Sequence, residues 1–283
     1  MPSPVLRRLF LLPFMAGAVA IHVPASANAQ DLGGLDTIMS TQASVTYGPY
    51  VRLELGGAIP SLDDAYWLPP NPGDPRIDFG LDGDNAAFGG VALGFDWQNG
   101  FRADVALLGT GNIGFSGPCV GASDGSPCDS PPAAFDDQHA DISDGSVHSR
   151  AVMANVFYAP FEARGSNASF QPYIVGGIGL ARNTVDSWTR VNPAAGTETR
   201  VFDSNSETEF AWSLGVGASW QLTDPGERPI LLDVSWRYYD FGEAVGGSIG
   251  TPGGPGSVPV QPLTFDMTSQ VFSIGIRIPL QRL

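Results

Sequence analysis

The 283-residue chain carries 14 basic residues, all of them Arg, against 29 Asp and Glu, for a net charge of −15. So acidic a chain lacks the basic footprint that nucleic-acid binding requires. After the N-terminal leader no stretch of about 18 consecutive apolar residues occurs, which excludes a helical membrane span.

The N-terminus comes first. Arg7 and Arg8 precede an apolar run from Leu9 to Val23, and Ala27-Asn28-Ala29 follows as a small-x-small cleavage signal. This is the anatomy of a secretory signal peptide over residues 1–29. Residues 30–45 are expected to be a lead-in and 46–283 a single exported domain. Removing Arg7 and Arg8 leaves 12 Arg against 29 carboxylates, a mature charge of −17.

From residue 46 onward, eight segments alternate in hydropathy with a period of two, the signature of strands. Their expected spans are 46–58, 86–97, 100–109, 147–159, 169–182, 207–221, 229–241 and 266–280. In the seventh, Ile230, Leu232, Val234, Trp236 and Tyr238 share one face, and Leu231, Asp233, Ser235, Arg237 and Tyr239 the other. In the sixth, Phe210, Trp212, Leu214, Val216, Ala218 and Trp220 oppose Ala211, Ser213, Gly215, Gly217 and Ser219. A water-exposed strand face prefers Lys, Thr and Glu. Here the less apolar face is Gly, Ser and Ala with a few Arg and Asp, which suits a narrow barrel interior. The apolar face is then the one that meets lipid. The rival is a secreted β-sandwich, in which that apolar face would pack between two sheets.

The connections support the barrel. Their lengths run roughly 27, two, 37, nine, 24, seven and 24 residues, long and short in strict alternation. Outer-membrane barrels have this pattern, with short periplasmic turns and long external loops; Asn99-Gly100 in the first short one is a hairpin signal. Two aromatic belts are then expected: Tyr47, Trp97, Phe101, Tyr158 and Trp220 at the periplasmic end, and Phe210, Trp212, Trp236 and Tyr238 at the outer end. Cys119 and Cys128 lie in one Gly/Pro-rich connection, where an oxidising compartment favours a short-loop disulfide.

Three later segments carry a family likeness: Gln171-Pro172-Tyr173-Ile174-Val175-Gly176-Gly177-Ile178-Gly179-Leu180-Ala181, Phe210-Ala211-Trp212-Ser213-Leu214-Gly215-Val216-Gly217, and Asp233-Val234-Ser235-Trp236-Arg237-Tyr238-Tyr239-Asp240-Phe241-Gly242. With Ala154-Asn155-Val156-Phe157-Tyr158 they resemble the opacity-protein-like, OmpA-like eight-stranded outer-membrane barrels, over roughly residues 85–280. The resemblance implies an all-β, antiparallel, up-and-down transmembrane barrel in the outer membrane of a Gram-negative bacterium, and rarely a reaction. One departure is the terminus, Pro279-Leu280-Gln281-Arg282-Leu283, where such chains often end in an aromatic residue.

Inside such a barrel the pattern places Arg52, Arg102, Arg237 and Arg277 with Glu54, Asp96, Asp104 and Asp233, four charges of each sign. Buried charges are tolerated when paired, so a lumen plugged by Arg–carboxylate pairs is expected; the alternative is a small-solute or ion channel through the same groups. The remaining acid falls in two external connections, as Asp63, Asp64, Asp74, Asp78, Asp82 and Asp84, and as Asp124, Asp129, Asp136, Asp137, Asp141 and Asp144. These solvate the loops, or share divalent cations with neighbouring lipopolysaccharide. The expected surroundings are outer-membrane lipid and lipopolysaccharide, with host or other surface partners on the loops, 110–145 above all. No cofactor or resident metal is expected. A lipid A-modifying enzyme is the least favoured reading; its only hint is Ser146 and His148, two apart on one strand face.

Overall fold

The computed structural model describes residues 48–70, 73–125, 142–166, 168–191, 199–223, 230–253 and 258–280. The expected signal peptide, the lead-in, Tyr47 and Cys128 lie outside them. Thirteen strands occur in chain order: β1 (Pro49–Leu68), β2 (Ile77–Gly83), β3 (Ala86–Asp96), β4 (Phe101–Thr110), β5 (Ile113–Ala122), β6 (Ile142–Tyr158), β7 (Phe170–Val185), β8 (Trp188–Val191), β9 (Arg200–Phe202), β10 (Asn205–Gln221), β11 (Leu231–Val245), β12 (Gly250–Thr251) and β13 (Gln261–Pro279).

Eight of them form a closed ring. Antiparallel pairing runs β6–β4–β3–β1–β13–β11–β10–β7 and returns from β7 to β6. The register fixes how the ring closes. Phe210 on β10 pairs with Leu180, then Val152, Leu107, Val91, Leu53, Ile276 and Leu232 in turn. Leu232 pairs with Trp220, back on β10. One circuit therefore climbs from 210 to 220, a stagger of ten residues, which is the shear that lets tilted strands close without an edge.

The faces separate as a membrane barrel requires. Ile274 is 60% exposed and Leu55 75%, while Arg237 is 2% exposed. A sandwich would reverse these values. Near the short-turn end, outward Phe101 and Tyr158 meet at a tilt with ring centres 4.8 Å apart, and Trp220 meets Phe170 at 4.4 Å; Trp97 is exposed beside Phe95. Toward the other end Trp212 contacts Tyr238 at 5.5 Å and donates to Asp240 Oδ2 at 3.0 Å. Phe210 is exposed, and Trp236 partly so.

Among the described residues, the expected long loops are mostly strand. β1 runs ten residues past its expected end, to Leu68, and β6, β7, β10, β11 and β13 also lengthen at the same end. β2 and β5 pair with each other and with β1 and β6; β8, β9 and β12 continue the sheet. The acidic positions thought to be in loops follow: Asp63 and Asp64 are on β1, Asp78 and Asp82 on β2, Asp144 on β6. The physical reason is a set of apolar residues scattered among the Gly, Pro and Asp. Trp67, Phe79, Leu81, Phe115, Trp188, Phe202, Leu263 and Phe265 are all buried in one core.

Along a single strand the polarity inverts. On β13 the inward residues pass from Arg277, Gly275 and Ser273 to Met267, Phe265 and Leu263, while the outward ones pass from Ile276, Ile274 and Phe272 to Gln270, Thr268 and Asp266. Below the crossover the barrel is polar inside and apolar outside; above it, in the external cap, the reverse.

The cap holds one electrostatic conflict. Asp63 and Glu243 both pair directly with Asp266 across β1–β13–β11, and like charges placed opposite each other destabilise a sheet. Partial burial, then Glu243, Asp64, Asp240 and Asp63, raise the Asp266 pKa above the usual carboxylate value. An acid with a raised folded-state pKa weakens the fold when ionised, and the weakening disappears as pH falls through that pKa. Asp266→Asn is therefore expected to raise the thermal midpoint at pH 7, with the gain vanishing by about pH 3; unequal gains of the opposite order in thermal scans at the two pH values would contradict this.

Candidate functional site

The interior is the candidate site, and it has two layers. The lower, membrane-level layer is built by inward positions of the eight ring strands, five of which supply its charges. Alternation on β1 points Arg52 and Glu54 inward; β3 contributes Asp96, β4 Arg102 and Asp104, β11 Asp233 and Arg237, and β13 Arg277. All eight expected lumen residues are buried.

They form two linked groups. In the first, Arg52 Nη1 lies 2.6 Å from Glu54 Oε2, and Arg52 Nη2 lies 3.0 Å from Asp104 Oδ2. Asp104 also accepts from the Tyr50 hydroxyl at 3.2 Å and, through Oδ1, from Asn155 Nδ2 at 2.7 Å. Glu54 accepts from Ser273 Oγ at 3.4 Å. In the second group, Arg277 reaches Asp96 at 3.0 Å and Asp233 at 3.4 Å, and Arg102 reaches Asp233 at 3.6 Å. Ser219 ties these together, accepting from Arg102 at 3.1 Å and Arg277 at 3.4 Å and donating to Asp233. The Arg102 guanidinium lies 4.4 Å from the ring centres of both Phe157 and Tyr173, where the ring faces attract a cation.

Arg237 departs from the expected pairing. It donates to Asn155 Oδ1 at 2.6 Å and Ser213 Oγ at 2.8 Å, and lies over Tyr239 at 4.9 Å, with no carboxylate partner among the described residues. Its charge is offset one step away, because Asn155 relays to Asp104. The glycines leave space for this: a Cβ on Gly177 would fall on Asn155 Oδ1 and 2.9 Å from Ser213 Oγ. Tyr50, Asn155, Tyr173, Ser213 and Ser219 were missed as members. Each sits at an inward position of the same alternation, so the pattern that located the charges contains them too.

The upper layer is apolar and was not anticipated. Above Arg237, Tyr239 stacks on Phe241 at 5.3 Å and tilts against Phe88 at 5.6 Å, with Met153 and Met267 fully buried in the same core. Higher still, Trp188 stacks flat on Phe202 at 4.0 Å, and Phe115 meets Phe265 edge-on at 5.4 Å. One polar island interrupts it: Ser149 donates to Asn183, whose Nδ2 donates to the carbonyls of Phe241 and Glu243, both at 2.8 Å.

The remaining sequence signals fall outside the interior. Ser146 Oγ donates to Asp186 Oδ2 at 2.7 Å, and His148 Nδ1 lies 3.9 Å from the same oxygen. The Asp186 carboxylate, rather than the imidazole, receives the serine hydrogen, so Ser146 and His148 do not form a hydrogen-bonded nucleophile–base pair. Cys119, on β5, is disulfide-bonded. Among the described residues no group of three or more His, Cys, Asp or Glu is arranged to hold a metal ion.

Residues 16–254 match the family model described as outer membrane protein beta-barrel domain. Outer membrane protein PagN of Salmonella typhimurium is 30% identical over 161 residues, 55% of this chain and 57% of that protein. The chain thus spans a little over half the length of that relative. Among solved structures, Neisserial surface protein A is 16% identical, with 85% of this chain and 100% of the other covered at a TM-score of 0.42. OprG from Pseudomonas aeruginosa is 14% identical, with 82% and 95% covered at 0.44.

The buried network makes one quantitative demand. Asp104→Ala removes a partner of Arg52, Tyr50 and Asn155 at once, and breaking a buried pair on one side costs about 3–5 kcal/mol. Urea unfolding in lipid vesicles is expected to show a loss of that order, and a loss under about 1 kcal/mol would mean that the pair behaves as an exposed one.

Proposed function

Because the chain belongs to the outer membrane protein β-barrel domain family, we propose that it is a surface protein with a shut lumen, whose strand-built acidic cap is its working face. Outer-membrane residence follows from the family. The single observation supporting the shut lumen is that two chemically different fillings lie in series. An ion crossing the barrel would have to displace the Arg52–Asp104 and Arg277–Asp233 pairs, then pass the Tyr239, Phe241 and Met267 packing. Eight strands leave room for side chains and little else.

The cap is suited to contact. Its aromatic core holds it rigid, so a partner would meet a formed surface with little ordering cost. Asp63, Asp64, Asp82 and Asp84 are exposed on it, and Val120, Val201 and Ile249 add apolar area. A basic or cation-bridged surface is the complementary partner, whether host-derived, another cell, or lipopolysaccharide held through divalent ions. The reading assigns no reaction, in keeping with the Ser146–Asp186 bond. Purified, heat-modifiable protein in planar bilayers is expected to give no large, stable conductance steps; such steps would mean an open path and would overturn the shut lumen. Lipid A from cells expressing the protein is expected to keep its mass spectrum, and a new deacylated or modified peak would overturn the absence of a reaction.

A further inference from the structure

On the outer face the apolar band ends at one well-defined row. On β6 the outward residues are Tyr158, Val156, Ala154 and Val152, and the next outward position is Arg150. On β7 they are Ile174, Gly176, Ile178 and Leu180, and the next is Arg182. The two arginines are direct cross-strand partners, both exposed. The same row continues on either side as Gly89, Gly109, Arg150, Arg182, Thr208.

Two adjacent arginines are unexpected there. Like charges directly opposite each other destabilise a sheet, and neither has an ion-pair partner among the described residues. They stand in a protein whose net charge is −15, with acid available on the cap above. On the β4 side the row is glycine, and beneath it lie Val91, Leu107, Val152 and Leu180. Together with Arg150, Arg182 and Thr208 these line a shallow, open groove of about 580 Å³ on the outer face, almost wholly apolar in its exposed surface. A ligand that satisfies both parts must join a strong anion to a hydrocarbon chain at the boundary between lipid and water.

We propose that this row is a docking site for a phosphorylated, acylated glycolipid of the outer leaflet, with a phosphate on Arg150 and Arg182 and an acyl chain lying in the groove below. The inference rests on the outer-membrane reading of the barrel and is independent of whether the lumen conducts. A guanidinium presents paired donors that match phosphate oxygens, and two side by side bracket one phosphate while its charge relieves their repulsion. Thr208 adds a hydroxyl. Gly89 and Gly109 put no side chain into the row beside the cations.

The test uses the full folded chain in phosphatidylcholine nanodiscs, titrated with bis-phosphorylated lipid A or with the same lipid after its phosphates are removed. Bound lipid is counted by native mass spectrometry. Wild type is expected to retain the phosphorylated lipid roughly tenfold or more tightly than the dephosphorylated one, and than the double variant Arg150→Gln, Arg182→Gln does. Arg164→Gln, at the short-turn end, is expected to bind as wild type does. Gly89→Leu keeps both charges and fills the groove; its Cβ would stand 3.3 Å from the flexible end of Leu55, so the barrel accommodates it, and retention is expected to fall severalfold. Heat-modifiable migration establishes that each variant is folded. Equal retention by wild type and the double variant, or by the two lipids, would overturn the site; unchanged retention by Gly89→Leu would overturn its acyl half.

Discussion

A bilayer offers no water to an unpaired backbone group, and that single constraint organises the molecule. Each strand needs a hydrogen-bonded neighbour on both sides, so the sheet must close, and the β6–β7 pairing closes it. Once eight strands join with a ten-residue stagger, the interior is a narrow column that side chains must fill. The charged network follows from this. Arg52, Arg102, Arg237 and Arg277 are long enough to cross the column, and the inward glycines and serines give them room. They persist there because carboxylates, hydroxyls, an amide and aromatic faces take the place of solvent.

The same strands continue past the lipid, and there the constraint changes sign. In water the outer face no longer needs hydrocarbon, and a polar filling no longer has any advantage over an apolar one. β13 records the change residue by residue, from Arg277 inside and Ile276 outside to Phe265 inside and Asp266 outside. The cap is thus a small water-soluble β-structure grown on a membrane barrel without a linker between them.

Strict alternation made the membrane part of the fold legible in the sequence. In β10 and β11 every second residue declares its side, and a shift of one position would move a whole strand's set to the wrong face. The burial of the eight charged side chains followed from the same rule. The cap was illegible for a related reason: Trp67, Phe79, Phe115 and Trp188 are separated by Gly, Pro and Asp, and β2, β8, β9 and β12 are too short to show a period. Hydropathy also has no means of marking the crossover, because the alternation itself never breaks; only the identity of the favoured face changes. Arg237 shows a further limit. Side-chain direction was readable from spacing, but its choice of Asn155 and Ser213 over a carboxylate depends on three-dimensional neighbours on β6 and β10.

The inversion of polarity along each strand also bears on how the protein holds its position. The cap's outer surface is carboxylate-rich, and its greasy interior is locked by ring stacking. Drawing the barrel toward the periplasm would drag Asp63, Asp266 and Glu243 into hydrocarbon, where ionised groups are strongly disfavoured. The cap therefore works as a stopper against movement in that direction, and it is carried on strands such as β1, β6 and β13 that run unbroken from the barrel into it.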